Sequence, residues 1–555
     1  MIKYESTRGS KNTLNAAAAV IQGIAEDKGL YVPDHIPALP FEIKDMQGKS
    51  YKEIAKAVIG AFFTDYTSEE MQYCIDGAYT GKFEAEEIVP LVKAGDAYFL
   101  ELYHGRTAAF KDMALSILPY LLTTAMKKEN EDKKVCILTA TSGDTGKAAL
   151  EAFADVPGTE IIVFFPDSGV SQVQERQMIT QEGANTHVFA IKGNFDDAQT
   201  GVKKIFNDDA FAAKLAGYGC KLSSANSINI GRLIPQVAYY VYAYIKMVET
   251  GAVKDGEKIN IVVPTGNFGN ILAAYYASKM GIPVNKFICA SNKNKVLTDF
   301  INTGTYSTDR EFYLTNSPSM DILISSNLER LLYHLCGGNG EEVKAMMESL
   351  DKNKQYTVSD QIKEGMKEFY GGSCSVEQTN EAIGKMYADN DYLMDTHTAV
   401  AYKVYEDYKA ATGDDTPAVI ASTASAYKFA ESVANSIGID GDMNGFEYID
   451  AVNEKTGVRV PKGLKNLDKK EIRHKGVIET DDMMKVVEQS VKWENIIMTT
   501  TTLFIILAVF TVVYLVSTVK VRRSETPQER KLYSTLRWIG VAGLIAVALL
   551  SMTLE

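Results

Sequence analysis

Val135-Cys-Ile-Leu-Thr-Ala-Thr-Ser-Gly-Asp-Thr-Gly-Lys-Ala-Ala-Leu150 is the stretch on which the reading of the fold turns. Val135–Leu138 is a short apolar run of the kind that fills a parallel strand buried on both faces. Small polar residues follow, and Ala148–Ala154 reads as a helix. Strand, Gly/Ser/Thr turn and helix together aim backbone N–H groups and a helix N-terminus at an anion. Lys147 stands where a P-loop lysine would. The Gly143–Gly146 spacing departs from the P-loop pattern, which argues against a nucleotide.

The arrangement recurs at Ile261-Val-Val-Pro-Thr-Gly-Asn-Phe-Gly-Asn-Ile-Leu-Ala-Ala274. Gly266 and Gly269 permit close backbone approach. Asn267 and Asn270 tolerate the left-handed region and can donate from their side-chain amides. By itself such a turn is an ordinary strand-to-helix connection. Upstream, Tyr103-His-Gly-Arg-Thr-Ala-Ala-Phe-Lys-Asp-Met113 sets Lys111 in a largely apolar stretch. Lysine is rarely fully buried unless paired or chemically used. Desolvation lowers its pKa and makes the amine nucleophilic, as Schiff-base chemistry requires. The plainer alternative is a surface lysine at a helix start, with Asp112 as a first-turn acid. Two anion turns and one such lysine together suggest pyridoxal 5'-phosphate. The lysine would hold the aldehyde, one turn the cofactor phosphate and the other the substrate carboxylate.

Outward from these motifs, apolar strand candidates alternate with helical patterning. The candidates are Val135–Leu138, Ile161–Phe165, Thr186–Ala190, Ile261–Val263, Lys286–Ala290 and Ala418–Ser422. That alternation predicts an α/β fold with parallel sheets covered by helices. Residues 1–85 read as a mostly helical N-terminal unit, and residues 86–490 as a catalytic α/β region of two subdomains. Glu/Lys-rich patterning over 339–390 reads as a helical insertion beside the site.

The net charge of −13 argues against a nucleic-acid partner, which needs a basic face. The six cysteines are scattered without metal or CxxC spacing, and no metal-loop pattern is present. With no signal peptide at the start, reduced thiols in a cytoplasmic catalytic region are expected.

Further motifs follow in order. They are Tyr4-Glu-Ser-Thr-Arg-Gly9, Gly29-Leu-Tyr-Val-Pro33, Asn226-Ser-Ile-Asn229 with Arg232, and Ser317-Pro-Ser-Met-Asp321. Then come Ser325-Ser-Asn-Leu-Glu-Arg330, Asp395-Thr-His-Thr-Ala399 and Ser422-Thr-Ala-Ser-Ala-Tyr-Lys428. With the two turns and the lysine, they make residues 1 to about 490 resemble threonine synthase, a fold-type-II pyridoxal-phosphate enzyme. The resemblance implies conversion of O-phospho-L-homoserine and water to L-threonine and phosphate, a β,γ-replacement. It implies that Lys111 carries the cofactor and shuttles protons. Gly266, Asn267, Phe268, Gly269 and Asn270 would cradle the cofactor phosphate, and Thr423 would meet the ring nitrogen. Ser142, Gly143, Asp144 and Thr145 would hold the substrate carboxylate. Arg232 and Lys428 would meet the substrate phosphate, because cations must meet it somewhere. His397 is expected to give structural support, and His104 is left open. Arg106 and Ala426 stand where the family often has proline, departures that bear on loop geometry rather than on the lysine.

Two other readings compete. One is a related pyridoxal-phosphate dehydratase, lyase or β-replacement synthase, against which the unbroken 317–321 and 325–330 motifs speak. The other is a membrane-anchored silent homologue, against which the intact Lys111 speaks.

The tail is different in kind. Residues 496–519 and 538–554 carry no charge, and the loop 520–537 holds six Lys/Arg and two Glu. Two such segments, with Trp538 at an edge, predict a transmembrane helical hairpin. The positive-inside rule places the basic loop in the cytoplasm and the enzyme outside. A substrate made in the cytosol requires the reverse. One resolution is a small membrane protein beginning near Met498 and joined to a complete enzyme, whether by nature, by engineering or through a gene-model error.

Overall fold

The computed structural model describes the backbone of residues 1–551 except 142 and 169, and the side chains of these residues except 196, 493–507 and 543–551. All six apolar runs lie in strands: Lys134–Ala140, Thr159–Pro166, Thr186–Lys192, Ile259–Pro264, Val284–Ser291 and Ala418–Ser422. They divide between two sheets. One runs in the order Phe369–Ser373, Val284–Ser291, Ile259–Pro264, Ala418–Ser422, Ala97–Glu101 and Leu91–Ala94. Its pairings are parallel except for the hairpin formed by the last two strands. The other runs Gly476–Glu479, Thr186–Lys192, Thr159–Pro166, Lys134–Ala140 and Cys220–Ser223, and its first three pairings are parallel. Every residue of Thr159–Pro166, Ile259–Pro264 and Ala418–Ser422 is buried. Cover on both faces is why these runs lack the polar alternation of a half-exposed strand.

The N-terminal unit has helices Ala16–Gln22, Tyr51–Phe62 and Ser68–Tyr79, together with the antiparallel pair Tyr4–Ser6 and Tyr31–Pro33. Tyr51–Phe62 starts at a Ser50/Glu53 capping box and buries Ile54, Ala55, Val58, Ile59 and Phe62, the stripe that an amphipathic helix turns to its core. It packs on Ile230–Glu249, a helix buried over most of its length. The segment expected to be a helical insertion has helices Gly340–Asn353, Asp360–Met366 and Val376–Asn390. It also has two strands. Gln355–Thr357 pairs with Thr305–Ser307, and Phe369–Ser373 forms an edge of the larger sheet.

The chain forms two compact units, one of residues 1–212 with 221–481, the other of 213–220 with the residues from 482 onward. In the second, helices Met483–Arg523 and Pro527–Ser551 pair. They approach closely where a Cβ on Gly540 would lie 3.0 Å from the Tyr514 backbone nitrogen. Among the described residues no helix is long and apolar enough to cross a membrane. Much of both spans expected at 496–519 and 538–554 falls on residues whose side chains lie outside the described residues.

Within the first unit, Thr141 and Gly143, the turn 265–268 and Thr423 follow the C-terminal ends of buried parallel strands. That is where open α/β sheets gather their sites.

Candidate active site

Lys111 opens the short helix Lys111–Leu115. The residues around it pair with the chain that leaves Ala418–Ser422. The Phe110 N–H donates to the Thr423 carbonyl at 2.7 Å, and the Ser425 N–H to the Ala108 carbonyl at 3.0 Å. Ala108 has φ 57°, a left-handed conformation that costs a residue with a Cβ. Gly105 is required nearby, since a Cβ there would lie 2.4 Å from Asp112 Oδ2. The lysine is buried, and its Nζ donates to Asp144 Oδ2 at 3.3 Å and to Ser319 Oγ at 3.1 Å. Burial lowers the pKa of this amine; Lys428 and Arg232 add to the effect and Asp144 opposes it.

Asp144 lies between two ammonium groups, with Lys428 Nζ 2.7 Å from its Oδ1. Gln174 Nε2 donates to the same oxygen at 2.9 Å. Burial alone would raise the pKa of this carboxyl. Lys428 and Lys111 outweigh it and hold Asp144 well below the usual carboxylate range. Lys428 Nζ also donates to the Thr107 carbonyl at 3.0 Å, which leaves one of its three donors. The Thr107 N–H and hydroxyl in turn donate to Asp112 at 2.8 and 2.6 Å. Burial pushes the Asp112 carboxyl up to about 6 despite those bonds.

In the first anion turn, Gly143 has φ 136°, and Asp144 and Thr145 begin the helix Asp144–Phe153. Ser142 lies outside the described residues. The Thr141 hydroxyl accepts from the N–H groups of Gly143 at 3.0 Å and Gly146 at 2.9 Å. An ionised Asp144 shared between two lysines repels a second carboxylate, so its side chain is a counter-charge and not an anion ligand.

In the second turn Phe268 has φ 63° and is buried. The Gly266 carbonyl accepts from Ser325 Oγ at 2.6 Å, and the Asn267 carbonyl from the N–H and side-chain amide of Asn327, both at 3.0 Å. A Cβ on Gly266 would lie 2.5 Å from the Ser319 carbonyl oxygen. The Asn270 side-chain oxygen accepts from the hydroxyls of Tyr239 at 2.9 Å and Tyr240, and its buried Nδ2 has no partner among the described residues. Arg232 donates from Nη1 to the Ala225 carbonyl at 2.7 Å, and its buried Nε has no partner among the described residues. Burial lowers the Arg232 pKa to about 10. Buried donors without acceptors are rare in folded proteins. Here they accompany a buried amine, and the set fits a group that carries both an aldehyde and a phosphate.

Ser319 thus touches both the lysine and the second turn, and no role for it was legible in the sequence. Its place inside the 317–321 motif was the available signal. Thr107 and Thr141 lie inside the quoted motifs but had no assigned role, and nothing local marked Gln174. His397 accepts from the Ser319 N–H at 3.2 Å, a supporting contact, and His104 lies 2.8 Å from Glu101.

Comparison with known proteins agrees with this geometry. Residues 3–79 match the family described as threonine synthase N terminus, 80–423 pyridoxal-phosphate dependent enzyme, and 398–491 threonine synthase, C-terminal. Threonine synthase of Pseudomonas aeruginosa is 38% identical over 436 residues, 78% of this chain and 90% of that protein. Threonine synthase-like 1 of Homo sapiens is 39% identical over 434 residues, 76% of this chain but only 58% of that protein's length. The crystal structure of PLP-bound threonine synthase from Brucella melitensis superposes with TM-score 0.78 at 34% identity, over 88% of this chain and 99% of that one. The α/β architecture and the parallel sheets are those of fold type II, and the chain belongs to the threonine synthase family of pyridoxal-phosphate-dependent enzymes.

Proposed function

We propose that this chain converts O-phospho-L-homoserine and water to L-threonine and phosphate, with pyridoxal 5'-phosphate on Lys111. The observation that carries the reading is the buried Lys111 amine, whose carboxylate partner Asp144 is shared with Lys428. The unpartnered donors Asn270 Nδ2 and Arg232 Nε agree with it. The bound cofactor supplies a conjugated ring that takes up electron pairs left when protons leave carbon. Lys111 accepts and returns those protons at Nζ, which burial keeps nearer neutrality than an exposed lysine. The backbone of Gly266, Asn267, Phe268 and Gly269 and the amide of Asn270 hold the cofactor phosphate, and the Thr423 hydroxyl meets the ring nitrogen. Arg232 and the spare donor of Lys428 hold the substrate phosphate, while Ser142, Gly143 and Thr145 receive its carboxylate. In balance, Cα and Cβ each lose a proton, Cγ loses phosphate and gains a proton, water adds its hydroxyl at Cβ, and a proton returns to Cα. Phosphohomoserine given to the purified holoenzyme should yield threonine and phosphate in equal amounts. A keto acid and ammonia without threonine would instead mark a dehydratase.

The same reading makes residues 86–490 the catalytic region, in the cytoplasm, and 496–519 and 538–554 membrane spans. What supports the spans is their uncharged sequence and the outward-facing Val509, Val512, Leu515, Val516, Val519, Trp538 and Ile539. Contiguous apolar surface of this kind marks contact with another protein or a bilayer.

A further inference from the structure

On the reading that Lys111 bears the cofactor, we propose that Ser319 is a further catalytic residue, one that stays bonded to the Lys111 amine in both of its protonation states. His397 and Asp395 are its positioning residues.

Among the described residues Lys111 Nζ has two hydrogen-bond partners, Asp144 and Ser319. They differ in what they can do. An ionised carboxylate only accepts, so Asp144 favours the ammonium form. A hydroxyl has one donor and two lone pairs. Ser319 Oγ can therefore accept from the ammonium and, after a rotation of its proton, donate to the lone pair of the neutral amine. A lysine that gives up and regains a proton needs such a partner, because otherwise its neutral form is buried with an unmatched lone pair.

The hydroxyl is held in place through the Ser319 backbone. Ser319 is in the three-residue turn Pro318–Met320. Its N–H donates to His397 Nε2 at 3.2 Å, and His397 Nδ1 lies 3.0 Å from Asp395 Oδ1. A carboxylate on Nδ1 keeps the proton there and leaves Nε2 bare, the tautomer that can accept. Asp395 is itself fixed at the N-cap of the helix Thr396–Thr412, accepting from the His397 N–H at 2.8 Å and the Thr398 N–H at 3.3 Å. The His397 ring packs 4.8 Å from Phe429, centroid to centroid. Behind the turn, Asp321 accepts from Asn292 at 2.7 Å, Asn294 at 3.0 Å and Thr315 at 2.8 Å. The Ser319 carbonyl abuts Gly266. One residue so carries the lysine on its hydroxyl, the histidine on its N–H and the second anion turn on its carbonyl.

The test uses holoenzymes of wild type, Ser319→Ala, Ser319→Thr, His397→Gln and the double variant. Borohydride reduction and peptide mapping first locate the cofactor. A label away from Lys111 overturns the proposed function. With the label on Lys111, glycine displaces the lysine from the cofactor, and recapture after glycine removal is followed in the visible spectrum beside kcat and KM. Ser319→Ala should slow recapture and lower kcat at least tenfold, with KM within threefold. Ser319→Thr should restore most of both. His397→Gln should act in the same direction, and the double variant should be little worse than Ser319→Ala, because both remove one placement. Recapture and kcat within twofold of wild type in Ser319→Ala would overturn the role of Ser319. Fully multiplicative losses in the double variant would overturn the role of His397.

Discussion

Gly266→Ala puts the contact between the second anion turn and the Ser319 turn to a quantitative test. A Cβ built on Gly266 lies 2.5 Å from the Ser319 carbonyl oxygen, a backbone atom that cannot rotate aside. Restoring an ordinary van der Waals separation requires roughly 0.9 Å of movement, an overpacking strain of about 1–3 kcal/mol. The same movement carries the Ser319 hydroxyl from 3.1 Å toward roughly 4 Å from Lys111 Nζ, beyond hydrogen-bond reach. A displacement of about 1 Å in a reacting arrangement costs up to about 100-fold in rate. The expectation is a loss of kcat of about 10- to 100-fold, weaker cofactor retention on dialysis and a modest fall in Tm. Gly60→Ala, in the helix Tyr51–Phe62 and outside the site, is the internal control. Its Cβ would meet Met71 Cγ at 4.0 Å, an ordinary contact with a side chain. That variant should stay within about threefold of wild type in kcat and cofactor binding. Equal behaviour of the two alanines, both near wild type, would refute the packing argument and the assignment of this turn to the cofactor.

Lys111→Ala should abolish turnover and the cofactor's visible band while leaving Tm little changed, because Asp144 keeps Lys428 as its partner; retained band and threonine formation would refute the assignment. Asp112→Asn tests the buried carboxyl beside Lys111. Burial raises its folded pKa to about 6 from 3.8, so the unfavourable term is absent below pH 4, grows between pH 4 and 6 and is complete above. Denaturant unfolding at pH 4.5 and pH 7 should show the variant gaining on wild type by about 2 kcal/mol at the higher pH; a pH-independent difference would refute it. Truncation after Trp493 should leave phosphohomoserine turnover unchanged and abolish sedimentation with membranes; lost activity would place the tail within the enzyme's core.

What the sequence alone determined was local and periodic. Uninterrupted apolar runs such as Ile261–Val263 identify strands buried on both faces, because only full cover tolerates a strand with no polar alternation. Glycine-rich turns after such strands, and a lysine in apolar company, point to an anion and an amine chemistry without any coordinates. Strands Ala97–Glu101 and Phe369–Ser373 escaped that reading. The first is a short arm of a hairpin, and the second is interrupted by Gly371 and Gly372, so neither stands out as an apolar stretch. Asp144 is the clearest case of a residue whose role only the tertiary structure decided. In sequence it is one member of an anion turn. In the fold, two ammonium groups from Lys111 and Lys428, residues more than 300 positions apart, converge on it and make it their counter-charge. Ser319 is the other, since its neighbours Lys111, His397 and Gly266 come from three distant segments. Periodicity encodes which face of an element is buried. It carries no information about which buried faces meet, and the pairing of charges and hydrogen bonds in this site is set by that meeting.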